Sequence, residues 1–387
     1  MNKKTVLPGA TLGVMGGGQL GRMFVQAAQR LGYYTAVLDA DATSPAGGVA
    51  QYHITADYLD EQGLAQLMQR CEAITTEFEN VPAGALVTLG AYRRVAPDAQ
   101  AVAICQDRSA EKAQFRRCGV PCAPFALIDT PQRLDSVADD LLPGILKTAR
   151  LGYDGKGQRR VADRAALVSA WDDLGRAPCV LEKLLPLALE LSVLVARGAD
   201  GQTVHLPVQQ NLHRDGILAV TQVPAPDVSP TVQAQAISAA TTLADAMDYV
   251  GVLCVEFFVL ADGSLVANEM APRPHNSGHW SIDGCDTSQF ELQVRTLTGL
   301  PLTPPRQHSA AVMLNLLGDL WFAGGGAEKP PAWAAVLALP GVHLHLYGKA
   351  NARPGRKMGH LTVTAESPAV ARSITLQAAA LLGLPAY

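Results

Sequence analysis

The chain of 387 residues has no uninterrupted apolar run of about 18 residues, so no membrane span is expected. Lys3 and Lys4 lead to Gly9 without an apolar signal core, and no secretory leader is expected either. It also lacks a charge bias. Its 31 basic and 35 acidic residues give no support to general binding of nucleic acid or of an anionic membrane. A disulfide framework is missing, because the seven cysteines are odd in number and scattered, which suits a reducing cytoplasm. Cys118 and Cys122 have no second pair with which to build a zinc site. Neither tandem repeats nor an extended disordered tract is present.

What is present reads as a cytoplasmic globular protein of mixed α/β and α+β class, and its length suggests two or three domains. "TLGVMG" (11–16), the helix pattern of 17–32 with Leu20, Phe24, Ala27 and Leu31, and "TAVLDAD" (35–41) alternate strand and helix. A helix at 61–70 and "AITTEFEN" (73–80) continue the series, so a parallel sheet is expected over residues 1–100. Residues 101–300 form a second unit with strands near 144–148, 178–183 and 189–197, a long helix from Pro230 and two further strands. Pro-rich "GLPLTPPRQ" (299–307) leads into a third unit, 301–387.

Two glycine-rich stretches suggest phosphate chemistry. Gly16-x-Gly18-x-x-Gly21 lies between strand and helix, where amides at a helix start attract an anion, and Asp39 ends the next strand as a ribose acceptor would. A dinucleotide, another phosphate-bearing ligand and a close-packed turn without ligand are all compatible with that pattern. "GYDGKGQ" (152–158) is not a P-loop, because Gly157 rather than Ser or Thr follows Lys156. Strands at 144–148 and 158–163 flank it, which makes it a hairpin cover over a ligand or an exposed turn.

"VLCVEFFVLADGSLVANEMAP" carries the most specific signal. Asp262-Gly263 predicts a two-residue type I′ turn in which opposed residue numbers sum to 525, so Glu256 faces Glu269. Opposed like charges are unfavourable, and Glu256 lies among Val255, Phe257 and Phe258. A hard divalent cation resolves both problems, with Asn268 as a neutral oxygen ligand; a slipped register is the alternative. Lys147, charged within an apolar strand, suits a phosphate, and Glu190 suits ribose hydroxyls. Two basic loops, "APRPHNSGHW" (271–280) and "YGKANARPGRKMGH" (347–360), suit a small polyanion or are solvated turns.

These motifs occur together and in order with "TEFENV" (76–81) and "CQDRSAEK" (105–112), and the chain thereby resembles the N5-carboxyaminoimidazole ribonucleotide synthases of the ATP-grasp superfamily. The resemblance implies a preATP-grasp domain, an ATP-grasp domain and a small carboxy-terminal domain. It implies ATP-dependent carboxylation of 5-aminoimidazole ribonucleotide by bicarbonate through carboxyphosphate, with Mg2+ or Mn2+, in a homodimer. Arg108 and Lys147 would contact ATP beneath the cover formed by Gly152, Tyr153, Asp154, Gly155, Lys156, Gly157 and Gln158. Glu182, Lys183, Leu184 and Leu185 would bound the adenine pocket, with backbone contacts at Lys183 and Leu185. Glu190 would bind ribose and His213 complete the nucleotide site, while Glu256, Asn268 and Glu269 would hold the metal. Gly18, Gln19, Leu20, Glu79, Tyr153, Asp154, Lys349 and Arg356 would face the acceptor substrate, and Arg273, His275, Asn276 and Lys357 the bicarbonate or its activated form. A formate-activating ligase of the same superfamily and a nucleotide-binding regulatory protein are the rival readings.

Overall fold

The computed structural model describes residues 4–152, 156–323 and 328–387. At the amino end, short apolar strands separated by helices form an all-parallel sheet in the order Tyr52–Ile54, Tyr34–Leu38, Thr11–Met15, Ala73–Thr76, Arg94–Val95. The helix Gln19–Arg30 covers it, burying Leu20, Met23, Phe24 and Ala28 at helical spacing. That helix ends as expected at Gly32, whose φ of +83° most side chains avoid.

A four-stranded antiparallel sheet follows, ordered Phe125–Ile128, Cys179–Lys183, Gly144–Thr148, Gln158–Val161. The third sheet has nine strands. Its path runs Leu265–Ala271, Gly251–Leu260, Leu187–Arg197, Gln209–Arg214, Ile217–Val223, Ala310–Leu317, Lys357–Ala365, Val342–Leu346, with Thr203–His205 paired to Leu187–Arg197. Strand Ile217–Val223 pairs with Ala310–Leu317, so one sheet passes without a break from the central region into the carboxy-terminal one.

Two helices place the functional elements. Gln289–Thr298 is buried on several faces, giving Phe290, Val294 and Leu297 to the amino-terminal core and Leu292 to the core of the large sheet. It therefore fixes the first sheet against the third. Arg108–Arg117, capped by Asp107, which accepts from the Ser109 and Ala110 N–H groups, lies against the edge strand Leu265–Ala271.

Candidate active site

The acidic hairpin forms by a different route from the expected one. Leu260 donates its N–H to Ser264 O at 2.8 Å, and Gly263, at φ +84°, donates to Leu260 O at 2.9 Å, so the turn holds three residues, not two. This replaces the type I′ turn by a turn closed with a left-handed glycine. It shifts the register by one: Val259 pairs with Leu265 and Phe257 with Ala267. A β-bulge at Asn268 then restores the offset, and Glu256 faces Glu269 after all. The extra residue in the bulge is Asn268, the residue read from the sequence as a neutral oxygen donor beside the acidic pair.

One face of the Arg108–Arg117 helix holds the bulge. At positions i, i+3 and i+4, Arg108 Nη1 donates to Glu269 Oε2 at 2.8 Å, Glu111 Oε1 accepts from Met270 N–H at 2.6 Å, and Lys112 Nζ donates to Asn268 O at 2.7 Å. Beneath them, Lys147 and Lys112 contact the Glu182 carboxylate at 3.1 and 3.3 Å, and Lys147 Nζ reaches Asn268 Oδ1 at 3.4 Å. Burial pushes the Glu182 carboxyl up, but the two lysines outweigh it and hold it below the ordinary carboxylate range. Burial likewise raises Glu269, and Arg108 and Lys147 overcome this to hold it at about 2. The opposed glutamates are thus stabilised from two sides, Glu269 by Arg108 and Glu256 by His275 Nε2 at 2.8 Å.

Glu190 and His213 come from neighbouring strands and contact each other through Oε2 and Nδ1. Burial lowers the His213 imidazole, but the carboxylates of Glu190, Glu256 and Glu269 raise it above its ordinary value. Lys183 N–H is committed to Pro124 O at 2.9 Å and Leu184 N–H to Pro143 O at 3.0 Å, whereas Leu185 N–H has no acceptor among the described residues. The strands expected to flank the glycine-rich stretch pair as a hairpin, with Lys147 opposite Gln158. Gly157 is held at φ +72°, where an added Cβ would lie 2.6 Å from Thr148 Oγ1. Gly152 borders the same hydroxyl, with Arg108 Nη2 just beyond it. Lys156 is exposed, and Tyr153, Asp154 and Gly155 lie outside the described residues.

The amino-terminal glycine turn corrects one expectation. Glu77 occupies the position proposed for a ligand phosphate, accepting from Gly18 N–H at 2.5 Å and Gly21 N–H at 2.7 Å. Asp39 accepts from Gly17 N–H at 2.7 Å and Tyr58 OH at 2.8 Å, so it caps the turn and is not free for ribose. The fingerprint is satisfied internally because strand Ala73–Thr76 lies beside Thr11–Met15 and carries Glu77 to the helix start. Gln19 and Leu20 occupy the first helical turn beside it. The carboxy-terminal basic loop folds against this region: an added Cβ at Gly348 would lie 3.1 Å from Arg22 Nη1. Lys349 Nζ donates to Lys357 O at 2.7 Å, and Arg356 Nη1 to Asn351 O at 2.7 Å. Between this region and the cluster at the acidic hairpin, Arg273 Nε donates to Glu79 Oε2 at 2.5 Å. Asn276 Nδ2 is buried without an acceptor among the described residues.

Three family models match in the order of these units: a ribonucleotide synthetase preATP-grasp domain over residues 9–106, an ATP-grasp domain over 113–290 and a phosphoribosylaminoimidazole carboxylase C-terminal domain over 311–373. The chain is 46% identical over 365 residues to the N5-carboxyaminoimidazole ribonucleotide synthase of Brucella melitensis, covering 94% of this chain and 98% of the relative. The chain belongs to the N5-carboxyaminoimidazole ribonucleotide synthase family. Solved structures agree. An N5-carboxyaminoimidazole ribonucleotide synthetase in complex with ADP superposes with a TM-score of 0.90 at 37% identity, covering 97% of each chain. The Aspergillus clavatus synthase, in complex with ADP and 5-aminoimidazole ribonucleotide, gives 0.87 at 32% identity, covering 97% of this chain and 98% of that one.

Within this family fold, the structure gathers the expected residues into two joined halves. Arg108, Lys147, Glu182, Glu256, Asn268 and Glu269 form one connected cluster, and Glu79, Arg273 and His275 link it to the amino-terminal domain. Lys112 and Glu111 were missed as site residues. Their spacing from Arg108 on one helix was the signal available in "CQDRSAEK". The donors at the hairpin are two carboxylates and an amide oxygen, a hard set that fits Mg2+, which commonly completes its shell with water and substrate phosphate. Among the described residues no group of three or more His, Cys, Asp and Glu could hold an ion by itself.

Proposed function

We infer that this ATP-dependent ligase carboxylates the amine of 5-aminoimidazole ribonucleotide to give N5-carboxyaminoimidazole ribonucleotide in purine biosynthesis, consuming ATP. The observation that carries the reading is the contact of the acidic hairpin with the 271–280 loop, His275 on Glu256, next to Arg273 on Glu79 of the amino-terminal domain. That contact supports a reading in which nucleotide and acceptor bind side by side, as a transfer between them requires.

In this reading bicarbonate is the carboxyl source. One of its oxygens attacks the γ-phosphorus, the bond to ADP breaks, and carboxyphosphate forms. The amine nitrogen then bonds to the carboxyl carbon, directly or after local release of CO2, as phosphate leaves and the amine loses a proton. Arg108 and Lys147 hold the ATP phosphates, and closing residues 152–158 over them excludes water that would hydrolyse the activated carboxylate. Glu190 with His213 takes the ribose, and the segment Glu182–Leu185 takes the base, for which the Leu185 N–H is an available donor. Glu256, Glu269 and Asn268 would hold Mg2+ or Mn2+, which neutralises phosphate charge when bound. Arg273, His275, Asn276 and Lys357 hold the bicarbonate and its activated form. Asn276 supports this, because a buried amide donor without an acceptor costs about 1–3 kcal/mol until an anion accepts from it. Gln19, Leu20, Glu79, Lys349 and Arg356 present the acceptor surface, with Tyr153 and Asp154 on the cover. The division at 1–100, 101–300 and 301–387 and assembly as a homodimer belong to the same proposal. Among the described residues no helix is long and apolar enough to cross a membrane.

The test supplies Mg-ATP, 5-aminoimidazole ribonucleotide and doubly labelled bicarbonate under rapid sampling. Carbon label should enter the ribonucleotide, oxygen label should reach inorganic phosphate, and formate should not substitute. A folded protein that binds Mg-ATP yet never incorporates the carbon would overturn the reading.

A further inference from the structure

A glutamine at the first position of the helix Gln289–Thr298 is fully buried, and its amide lies against the backbone of the 271–280 loop. Gln289 Oε1 accepts from His275 N–H at 2.8 Å, while Gln289 Nε2 donates to His275 O at 2.9 Å and lies 2.8 Å from His279 Nδ1. A backbone N–H only donates and a carbonyl only accepts, so the amide is held in one orientation and its second N–H goes to His279. Both hydrogens of the amide nitrogen are thereby used. The fit is close: a Cβ added at Gly278 would lie 2.5 Å from Gln289 Oε1 and 2.8 Å from its Cδ. The loop lies flat on this amide because residue 278 has no side chain.

Other contacts hold other parts of the loop. Ser281 Oγ donates to Gly278 O at 2.6 Å and accepts from Gln289 N–H at 3.0 Å, which fixes the far end of the turn. Ser192 Oγ holds the Ser277 hydroxyl at 2.7 Å, and Glu256 contacts the His275 ring at 2.8 Å. Among the described residues, the His275 N–H has no acceptor except Gln289. The glutamine is carried by a helix rooted in the amino-terminal domain, where Phe290, Val294 and Leu297 pack into the core. One turn along, Gln293 Nε2 donates to Thr75 Oγ1 at 3.2 Å and to Thr76 O at 3.4 Å. The strand of those threonines leads to Glu79, the partner of Arg273 in the same loop.

We propose that Gln289 is a positioning residue: it grips the backbone of His275 and so sets where His275 and Asn276 stand relative to the amino-terminal domain. The task requires an acceptor and two donors in one rigid plane, which a buried primary amide supplies and a hydroxyl or a carboxylate does not. The domain read as presenting the acceptor substrate thereby also fixes the loop read as holding the carboxyl donor. Displacing reacting groups by about 1 Å can cost about 100-fold in rate. The kinetic consequence rests on that reading of the loop; the grip of Gln289 on His275 does not.

The test approaches the contact from both sides. Gln289→Met keeps the length of the side chain and removes its hydrogen bonds, whereas Gly278→Ala leaves the glutamine intact and pushes the loop off it. Leu297→Ala, buried at the other end of the same helix, controls for general destabilisation. Hydrogen exchange of the peptide 271–280, followed by mass spectrometry on ligand-free protein, should quicken by about 3- to 10-fold in both test variants, as one lost hydrogen bond implies. In both, carboxylation kcat should fall by about 10- to 100-fold, with KM for ATP little changed and more phosphate released per carboxylated product. Leu297→Ala should lower Tm yet leave the exchange of that peptide and the phosphate-to-product ratio at the parent values. If Gln289→Met does not fold, Gly278→Ala carries both readouts. Unchanged exchange in the test variants overturns the grip and with it the proposal, as do equal effects in Leu297→Ala. Faster exchange with undiminished carboxylation overturns the positioning role through the reading of the loop and not through the grip.

Discussion

Replacing Glu182 by Gln removes one charge and almost no volume from the middle of the buried cluster of Lys112, Lys147 and Asn268. Its carboxylate lies between Lys147 at 3.1 Å and Lys112 at 3.3 Å, with side-chain exposures of 5%, 10% and 0% respectively. Glutamine keeps one acceptor oxygen but leaves two buried ammonium groups beside Arg108 without their counter-charge. Breaking a buried pair from one side costs about 3–5 kcal/mol, a large share of a typical stability of about 5–15 kcal/mol. At roughly 2 °C per kcal/mol, the low end for large domains, Tm should fall by about 6–10 °C at pH 7. The pH dependence has a definite sign. The folded-state carboxyl is held below its unfolded value, so its contribution is complete above the ordinary carboxylate range and is lost as pH falls through the folded value. Thermal unfolding of parent and Glu182→Gln should therefore differ most near neutrality and converge in acid. ATP should recover part of the deficit, because its phosphates supply the missing negative charge. Equal Tm values at pH 7, or a deficit that persists undiminished at low pH, would refute the charge argument.

Glu269→Gln should fold normally but lower kcat/KM for Mg-ATP by about 100-fold, equivalent to about 2.7 kcal/mol, in a steady-state assay with varied Mg2+; unchanged Mg2+ dependence would count against the hairpin as the metal site. Gly157→Ala places a Cβ 2.6 Å from Thr148 Oγ1 at a positive φ. It should reduce coupled turnover and raise ATP hydrolysis without product, measured as the ratio of phosphate to carboxylated product. Glu77→Gln leaves one acceptor oxygen for the two N–H groups of Gly18 and Gly21, so chemical denaturation should show a loss of about 1–3 kcal/mol.

Much of this site could be read from local pattern. The alternation of strand and helix gave the parallel sheet, and Lys147 opposite Gln158 follows from two short strands flanking glycine. The acidic pair was also legible, though by a route the structure replaces: a three-residue turn and the Asn268 bulge shift the register in opposite senses and cancel. The bulge depends on Arg108, Glu111 and Lys112, more than 150 residues earlier, and no turn rule contains that information.

By itself, then, the sequence determined the elements and the chemical character of each motif, because hydrophobic period and turn chemistry act over a few residues. Tertiary structure alone decided which groups meet. The glycine turn looked open to a phosphate until Ala73–Thr76, placed beside Thr11–Met15, delivered Glu77 into it. The pairing of Glu190 with His213 likewise depends on strand order in the nine-stranded sheet. A buried donor must find its acceptor wherever the fold brings one, and sheet order is a property of the whole chain.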